Sequence, residues 1–238
     1  RRVSEPEGGY SAGEARDEAA RCIQCECVEC LKGCAYLRHY DKFPRILTRE
    51  IYNNAGIIMG DHMMNKALNS CALCGQCTVV CPNGYDMAEI CLSARENMVA
   101  TGKMSLAVHE FALYDQIFSN TEGFLARPQP GHERCKYLFF PGCQAAAIAP
   151  EVVIKAYSDL CRRLEGGVAL MLGCCGAISR WAGRGELTGE TDEQLRSALS
   201  ALGDPEIIAA CPTCAVNLRS ISSAPVRGIW DTLLELGL

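Results

Sequence analysis

Seventeen cysteines fall along 238 residues, and thirteen of them stand in three groups. These are Cys22, Cys25, Cys30 and Cys34; Cys71, Cys74, Cys77 and Cys81; and Cys143, Cys174, Cys175, Cys211 and Cys214. A disulfide scaffold of this cysteine richness is short and loop-rich, because its cross-links stand in for a core it cannot build. This chain is long enough for one large domain or two ordinary ones, and it carries helical periodicity. Within the groups the cysteines recur at the short intervals of metal ligands. The thiols are therefore read as reduced ligands, which points to a reducing, cytoplasmic compartment.

Charge and hydropathy narrow the classes further. A net charge of −5 argues against a nucleic-acid surface. No stretch approaches the roughly 18 apolar residues of a membrane span. The start, Arg1-Arg2-Val3-Ser4-Glu5-Pro6, has basic residues with no apolar segment behind them, so it is not a signal peptide. It also lacks a methionine, and the chain reads as a piece of a longer polypeptide. No G-x-G-x-x-G fingerprint or phosphate loop appears, which leaves no FAD or NAD site.

Patterning divides the chain in two. After a linker to Tyr10, Ser11 and Glu14 form a capping box that opens a helix leading to Cys22. Apolar positions between Pro44 and Ser70 predict a helical bridge. Further helices are predicted at Met87 to Val99 and Lys103 to Phe118, making residues 1–126 a helical domain. Arg127-Pro128-Gln129-Pro130-Gly131 reads as a linker. Beyond it, over 133–238, short strands at 136–140, 168–172 and 207–210 alternate with helices at 151–164, 192–202 and 229–236. That alternation predicts a small α/β domain with a parallel sheet. Cys143, the pair Cys174 and Cys175, and Cys211 each follow a strand closely. Cofactors of open parallel sheets gather at the carboxyl ends of strands, so this third group is expected at one sheet edge.

The second group reads Cys71-Ala-Leu-Cys74-Gly-Gln-Cys77-Thr-Val-Val-Cys81-Pro82. It is similar to the run of bacterial ferredoxins, in which four thiolates hold a [4Fe-4S] cubane. Zinc knuckles instead split four ligands into two separated pairs. The first group, with Cys27 set aside, has the spacing C-x2-C-x4-C-x3-C behind Glu18-Ala-Ala-Arg. Over residues 11–36 it resembles the iron–sulfur segment attached to flavin-dependent reductases such as the glutamate synthase small subunit and dihydropyrimidine dehydrogenase. Ala35 stands where that pattern has proline. Cys27 is either a packed thiol or a substitute for Cys25.

Two such groups in one helical half also resemble the α-helical two-cluster ferredoxins, such as the C subunit of heterodisulfide reductase. The fourth cysteine of each run there serves the other cluster. The resemblance implies one cubane on Cys22, Cys25, Cys30 and Cys81, and another on Cys71, Cys74, Cys77 and Cys34.

The third group, Pro141-Gly142-Cys143, Gly173-Cys174-Cys175-Gly176 and Cys211-Pro212-Thr213-Cys214, resembles the CCG domain of the heterodisulfide reductase B subunit over residues 135–238. The resemblance implies a third [4Fe-4S] cluster, noncubane in type, with Cys174 and Cys175 at the centre of the chemistry. Zinc or an ordinary cubane on four of the five thiols is the alternative. The B subunit carries two CCG motifs and this chain one, which counts against cleavage of a disulfide by two clusters within this chain.

Together these readings imply a flavoprotein electron donor, either a partner or a module upstream of Arg1. Electrons would pass through two cubanes to the CCG site and on to a disulfide or similar small acceptor. The rival readings are a non-catalytic relay and a zinc-stabilised interaction domain. Cys91 and Cys161 are expected in the core. Arg180 is a candidate for lining a substrate pocket, and Trp181 is expected to pack between helices.

Overall fold

The computed structural model describes residues 9–20, 26–105 and 108–237. Cys22 and Cys25 lie outside these residues. The chain forms two compact units, Arg1–Met104 and Ser105–Leu238.

The first unit is helical. The Ser11 amide donates to Glu14 Oε2 at 2.9 Å and the Glu14 amide to Ser11 Oγ at 3.3 Å, so the capping box opens α1 (Ala12–Ala20). Two five-residue helices, α2 (Glu29–Gly33) and α6 (Gln76–Val80), pack against each other. Between them run α3 (Ala35–Tyr40), α4 (Pro44–Gly56) and α5 (Met64–Ser70). The bridge read over Pro44 to Ser70 is thus two helices, broken at 57–63. Helix α7 (Met87–Ala100) starts where the Asp86 carboxylate accepts the amides of Ala88 and Glu89. Such a cap is worth about 1 kcal/mol. Leu37, Leu47, Ile51, Leu68, Met87 and Met98 form the core, together with Cys30, Cys77 and Cys91.

The second unit is a five-stranded sheet in the order β1-β3-β2-β4-β5, formed by Leu125–Arg127, Tyr137–Phe140, Val168–Leu172, Glu206–Ala209 and Val226–Gly228. Strands β2 to β5 are parallel, and β1 runs antiparallel on β3. The sheet is therefore mixed rather than parallel throughout. Both edge strands have only three residues, too few for a period-two pattern to register in sequence.

The central strands bury both faces, as covered parallel strands do. Leu138, Phe140, Ala169, Met171, Ile207 and Ala209 enter one core, with Leu195 and Leu199 of α12 (Gly185–Ala201) and Leu218 of α13 (Pro212–Ile221). Phe139, Val168 and Ile208 enter the other, with Val153 and Leu160 of α10 (Pro150–Arg163). Truncating Phe139 or Phe140 to alanine should cost about 3–5 kcal/mol.

Residues 128–131, expected as a linker, directly follow β1. They form a turn inside the second unit. The Gln129 amide donates to Cys135 Sγ at 3.3 Å, and Gln129 Oε1 accepts the Val168 amide at 2.8 Å. Helix α8 (Glu110–Asn120) and β1 both belong to that unit.

Candidate functional site

In the helical unit, α2 and α6 are built alike. Each carries a cysteine at its second residue, Cys30 and Cys77, and each ends on another, Cys34 and Cys81. A cavity of about 800 Å³ is bordered by Cys34, Cys71, Cys74 and Cys77. A water-sized group takes roughly 30 Å³, so an eight-atom iron–sulfide core has ample room there. Cys30 and Cys81 line a second, narrow pocket with Cys27, Cys77, Pro44, Pro82 and Tyr85. The packing of α2 on α6 thus sets Cys34 beside the second cysteine run and Cys81 beside the first.

The loop that presents Cys71, Cys74 and Cys77 turns back on itself through two left-handed residues, Leu73 (φ 55°) and Gly75 (φ 71°). Positive φ is strained for leucine and free for glycine. The fold tolerates it where four thiols must face one volume. Cys71 is held more closely than its neighbours. Its sulfur takes a hydrogen bond from the Cys91 thiol and another from the Leu73 amide, and its pKa falls to about 6. Cys91, deep in the core, is pushed the other way by the Cys71 sulfur and by burial, and keeps its proton.

In the second unit the strand order reverses around β2 and β4, neighbours whose following connections leave in opposite directions. Ligand sites of open α/β sheets sit at such a switch point. Cys143 opens α9 (Cys143–Ile148) after β2, and Cys211 caps α13 after β4. Cys174 and Cys175 follow β3 and lead into α11 (Ala177–Trp181). Gly142, at φ 84°, admits the close approach, since a Cβ there would lie 3.2 Å from Cys214 Sγ.

The five thiols neighbour one another in the order Cys143, Cys174, Cys175, Cys214, Cys211, close enough for each to act on the next one's proton affinity. Cys174 and Cys214 are the donors. Their thiols, with the Ala177 amide and Asn217 Nδ2 at 3.6 Å, bring the Cys175 pKa down to about 3. The Cys174 thiol and the Gln144 amide lower Cys143 to about 7. Cys174 and Cys214 are raised by their thiolate neighbours and by burial. Thiolate is the form that binds metal, so Cys143 and Cys175 are inclined toward the ligand form, while Cys174 and Cys214 would give up their protons only on binding. Among the described residues no three Cys, His, Asp or Glu side chains converge on one point as ligands of a single metal ion.

Sequence reasoning missed the support for this chain, which comes from α8. Asn120 Oδ1 accepts the Cys174 amide at 2.7 Å and Asn120 Nδ2 donates to the Cys174 carbonyl at 3.2 Å. One turn earlier, Gln116 accepts the Ser179 amide at 2.9 Å and donates to Ser179 Oγ and Thr191 Oγ1. Both side chains are buried. Two amides on the buried face of an otherwise apolar-looking helix were the available signal.

Other candidates resolve simply. Arg180 forms an ion pair with Asp192 at 3.0 Å. Trp181 is exposed rather than packed between helices. Cys161 packs against the second sheet core, and Cys135 is buried in the first. His62 Nδ1 bonds the Asn54 carbonyl oxygen at 2.7 Å. Among the described residues no helix is long and apolar enough to cross a membrane.

Residues 21–86 match the family model of a 4Fe-4S dicluster domain, and residues 137–219 that of the CCG cysteine-rich domain. No curated protein and no solved structure matches the chain. The two domains support an iron–sulfur electron-transfer role.

Proposed function

We propose that this chain takes electrons from a flavoprotein, passes them along two [4Fe-4S] cubanes in the helical unit, and delivers them to a third, CCG-type cluster that reduces a disulfide or similar small acceptor. The observation that carries the reading is the five-thiol chain at the switch point of the sheet. Five thiolates exceed the four that one cubane needs, which favours a noncubane cluster over zinc.

The assignment of ligands follows the two pockets. Cys34, Cys71, Cys74 and Cys77 would hold one cubane. Cys30 and Cys81 would hold the other, with Cys22 and Cys25 completing it. Cys143, Cys174, Cys175, Cys211 and Cys214 would hold the third cluster. When bound, these clusters supply one-electron storage and transfer over a wide range of potentials.

The residues themselves define how an acceptor approaches. Cys174, Cys175 and Cys214 are buried, whereas Cys143 and Cys211 are partly exposed. An acceptor therefore meets the site at Cys143 and Cys211, with Cys174 and Cys175 behind them as the inner pair. Reduction of a disulfide takes two electrons and two protons and releases two thiols, the electrons coming from the flavoprotein.

The burial of Cys174 and Cys175 favours one rival, a relay whose third site only passes electrons on. Anaerobic reconstitution separates these readings. The proposal expects about 12 irons per chain, four for each of three clusters, and oxidation of the reduced chain by a small disulfide. About eight irons with stoichiometric zinc would leave only the dicluster domain as a redox site. Full iron without reaction toward any small disulfide would favour the relay.

A further inference from the structure

Cys71 differs from every other thiol around the large cavity in what stands behind it. Arg95, on α7, is buried to 2% exposure, the most deeply enclosed charged residue among those described. Its guanidinium donates to the Leu68 carbonyl through Nε at 3.0 Å and Nη2 at 2.6 Å, and to the Cys71 carbonyl through Nη2 at 2.6 Å. A buried cation is expensive to desolvate, and capping the end of α5 does not by itself require one. The Cys91 thiol, one helical turn before Arg95, touches the Cys71 sulfur on one side and Tyr36 Oη at 3.8 Å on the other. Full positive charge and a sulfur-directed hydrogen bond thus act on the same residue. Asp86, whose carboxylate caps α7, faces Cys71 with the opposite sign, and the Arg95 charge acts on Cys71 more strongly.

We infer that Arg95 and Cys91 are positioning residues that raise the reduction potential of the cluster held by Cys71, Cys74, Cys77 and Cys34. Reduction adds negative charge to a cluster, and a nearby buried cation or a hydrogen bond to a ligand sulfur stabilises the reduced form more than the oxidised one. Burial of the guanidinium strengthens its effect, because water screens it little. The consequence is that this cluster holds an electron more firmly than it would on the same four thiols alone. The inference rests on the proposed assignment of Cys71 as a cluster ligand.

Potentiometric titration of the reconstituted whole chain, followed by low-temperature EPR, tests it. R95M and C91A should each lower the midpoint potential of one and the same cluster and leave the others where they are. R95K keeps the charge and should stay near the wild-type value, which a merely structural cap with altered geometry would not predict. Iron and sulfide counts come first. A wild-type chain that holds no cluster on Cys71 would overturn the functional reading and this inference together. A full complement of iron with unmoved potentials in R95M would overturn the inference alone, as would an equal shift in every cluster. If R95M fails to hold the cluster, C91A decides, and an unchanged potential there counts against the proposal.

Discussion

The side-chain amide of Asn120 brackets the backbone of Cys174, accepting its N–H at 2.7 Å and donating to its C=O at 3.2 Å. Gln194 Nε2 in turn donates to the Asn120 carbonyl at 2.7 Å. Helix α8 is therefore part of the five-thiol site, although it lies before the residues that match the cysteine-rich domain. N120L should leave two buried backbone groups of Cys174 unpaired, at about 1–3 kcal/mol each. Thermal unfolding should fall accordingly, and the third cofactor should be lost first on heating. N120D keeps the acceptor but sets an unpaired buried carboxylate against the Cys174 carbonyl, so it should also destabilise the site. A fragment beginning at Ser105 should retain the third cofactor, while one beginning at His132 should not. Equal retention by both fragments would count against any role for α8.

Changing Cys175 or Cys211 to serine should remove the spectroscopic signal of the third cofactor and leave the two dicluster signals intact. Serine is close in size but a poor ligand for iron. Both residues lie within the single thiol chain, so loss of either should disturb the whole site. C161S serves as the contrast, since Cys161 lies away from that chain and should alter no cluster signal. Survival of the third signal in C175S would break the five-ligand assignment.

The motif-bearing parts of the fold were legible because their signals are local. The strands at 137–140, 168–172 and 206–209 are short apolar runs bounded by turn residues, and the cysteines follow them at close range. What escaped was the support from distant sequence. Strand β1 pairs Leu125–Arg127 with Leu170–Leu172, a partnership set by tertiary packing, and Pro128 and Pro130 beside it carried the stronger local signal of a linker. Gln116 and Asn120 went unremarked, because their spacing on one helix face does not say what that face will meet. The link between Cys91 and Cys71 was hidden for the same reason: it joins a position on α7 to the loop that follows α5.

The interleaving of the two dicluster runs makes a separable forecast. C34S should weaken the same cluster as C74S, despite standing in the other run, because both thiols border the large cavity. C81S should instead act like C30S, its companion in the narrow pocket. Single-cluster EPR signatures of the four variants, recorded after anaerobic reconstitution, sort them into pairs. Grouping of C34S with C30S, and of C81S with C74S, would restore the simple assignment of one run to one cluster.

Cys161 offers a readout in the second unit that does not depend on any cluster. Burial raises its pKa above the ordinary thiol range, and contact with the Tyr157 hydroxyl offsets part of that rise. The Tyr157 hydroxyl also donates to the Val168 carbonyl at 2.9 Å, which fixes the ring over this thiol. Alkylation by iodoacetamide needs the thiolate. At pH 8 Cys161 should therefore react more slowly than a free thiol of pKa about 8.5, and its rate should keep rising at pH values where the free thiol has levelled off. The linked effect on stability has a definite sign. With the folded pKa above the unfolded one, the unfolded state releases its proton first, so this contribution is complete below the unfolded thiol's range and is lost as pH climbs through the folded value. C161A should flatten that part of the stability profile. A rate at pH 8 matching the free thiol would show that burial does not protect this position.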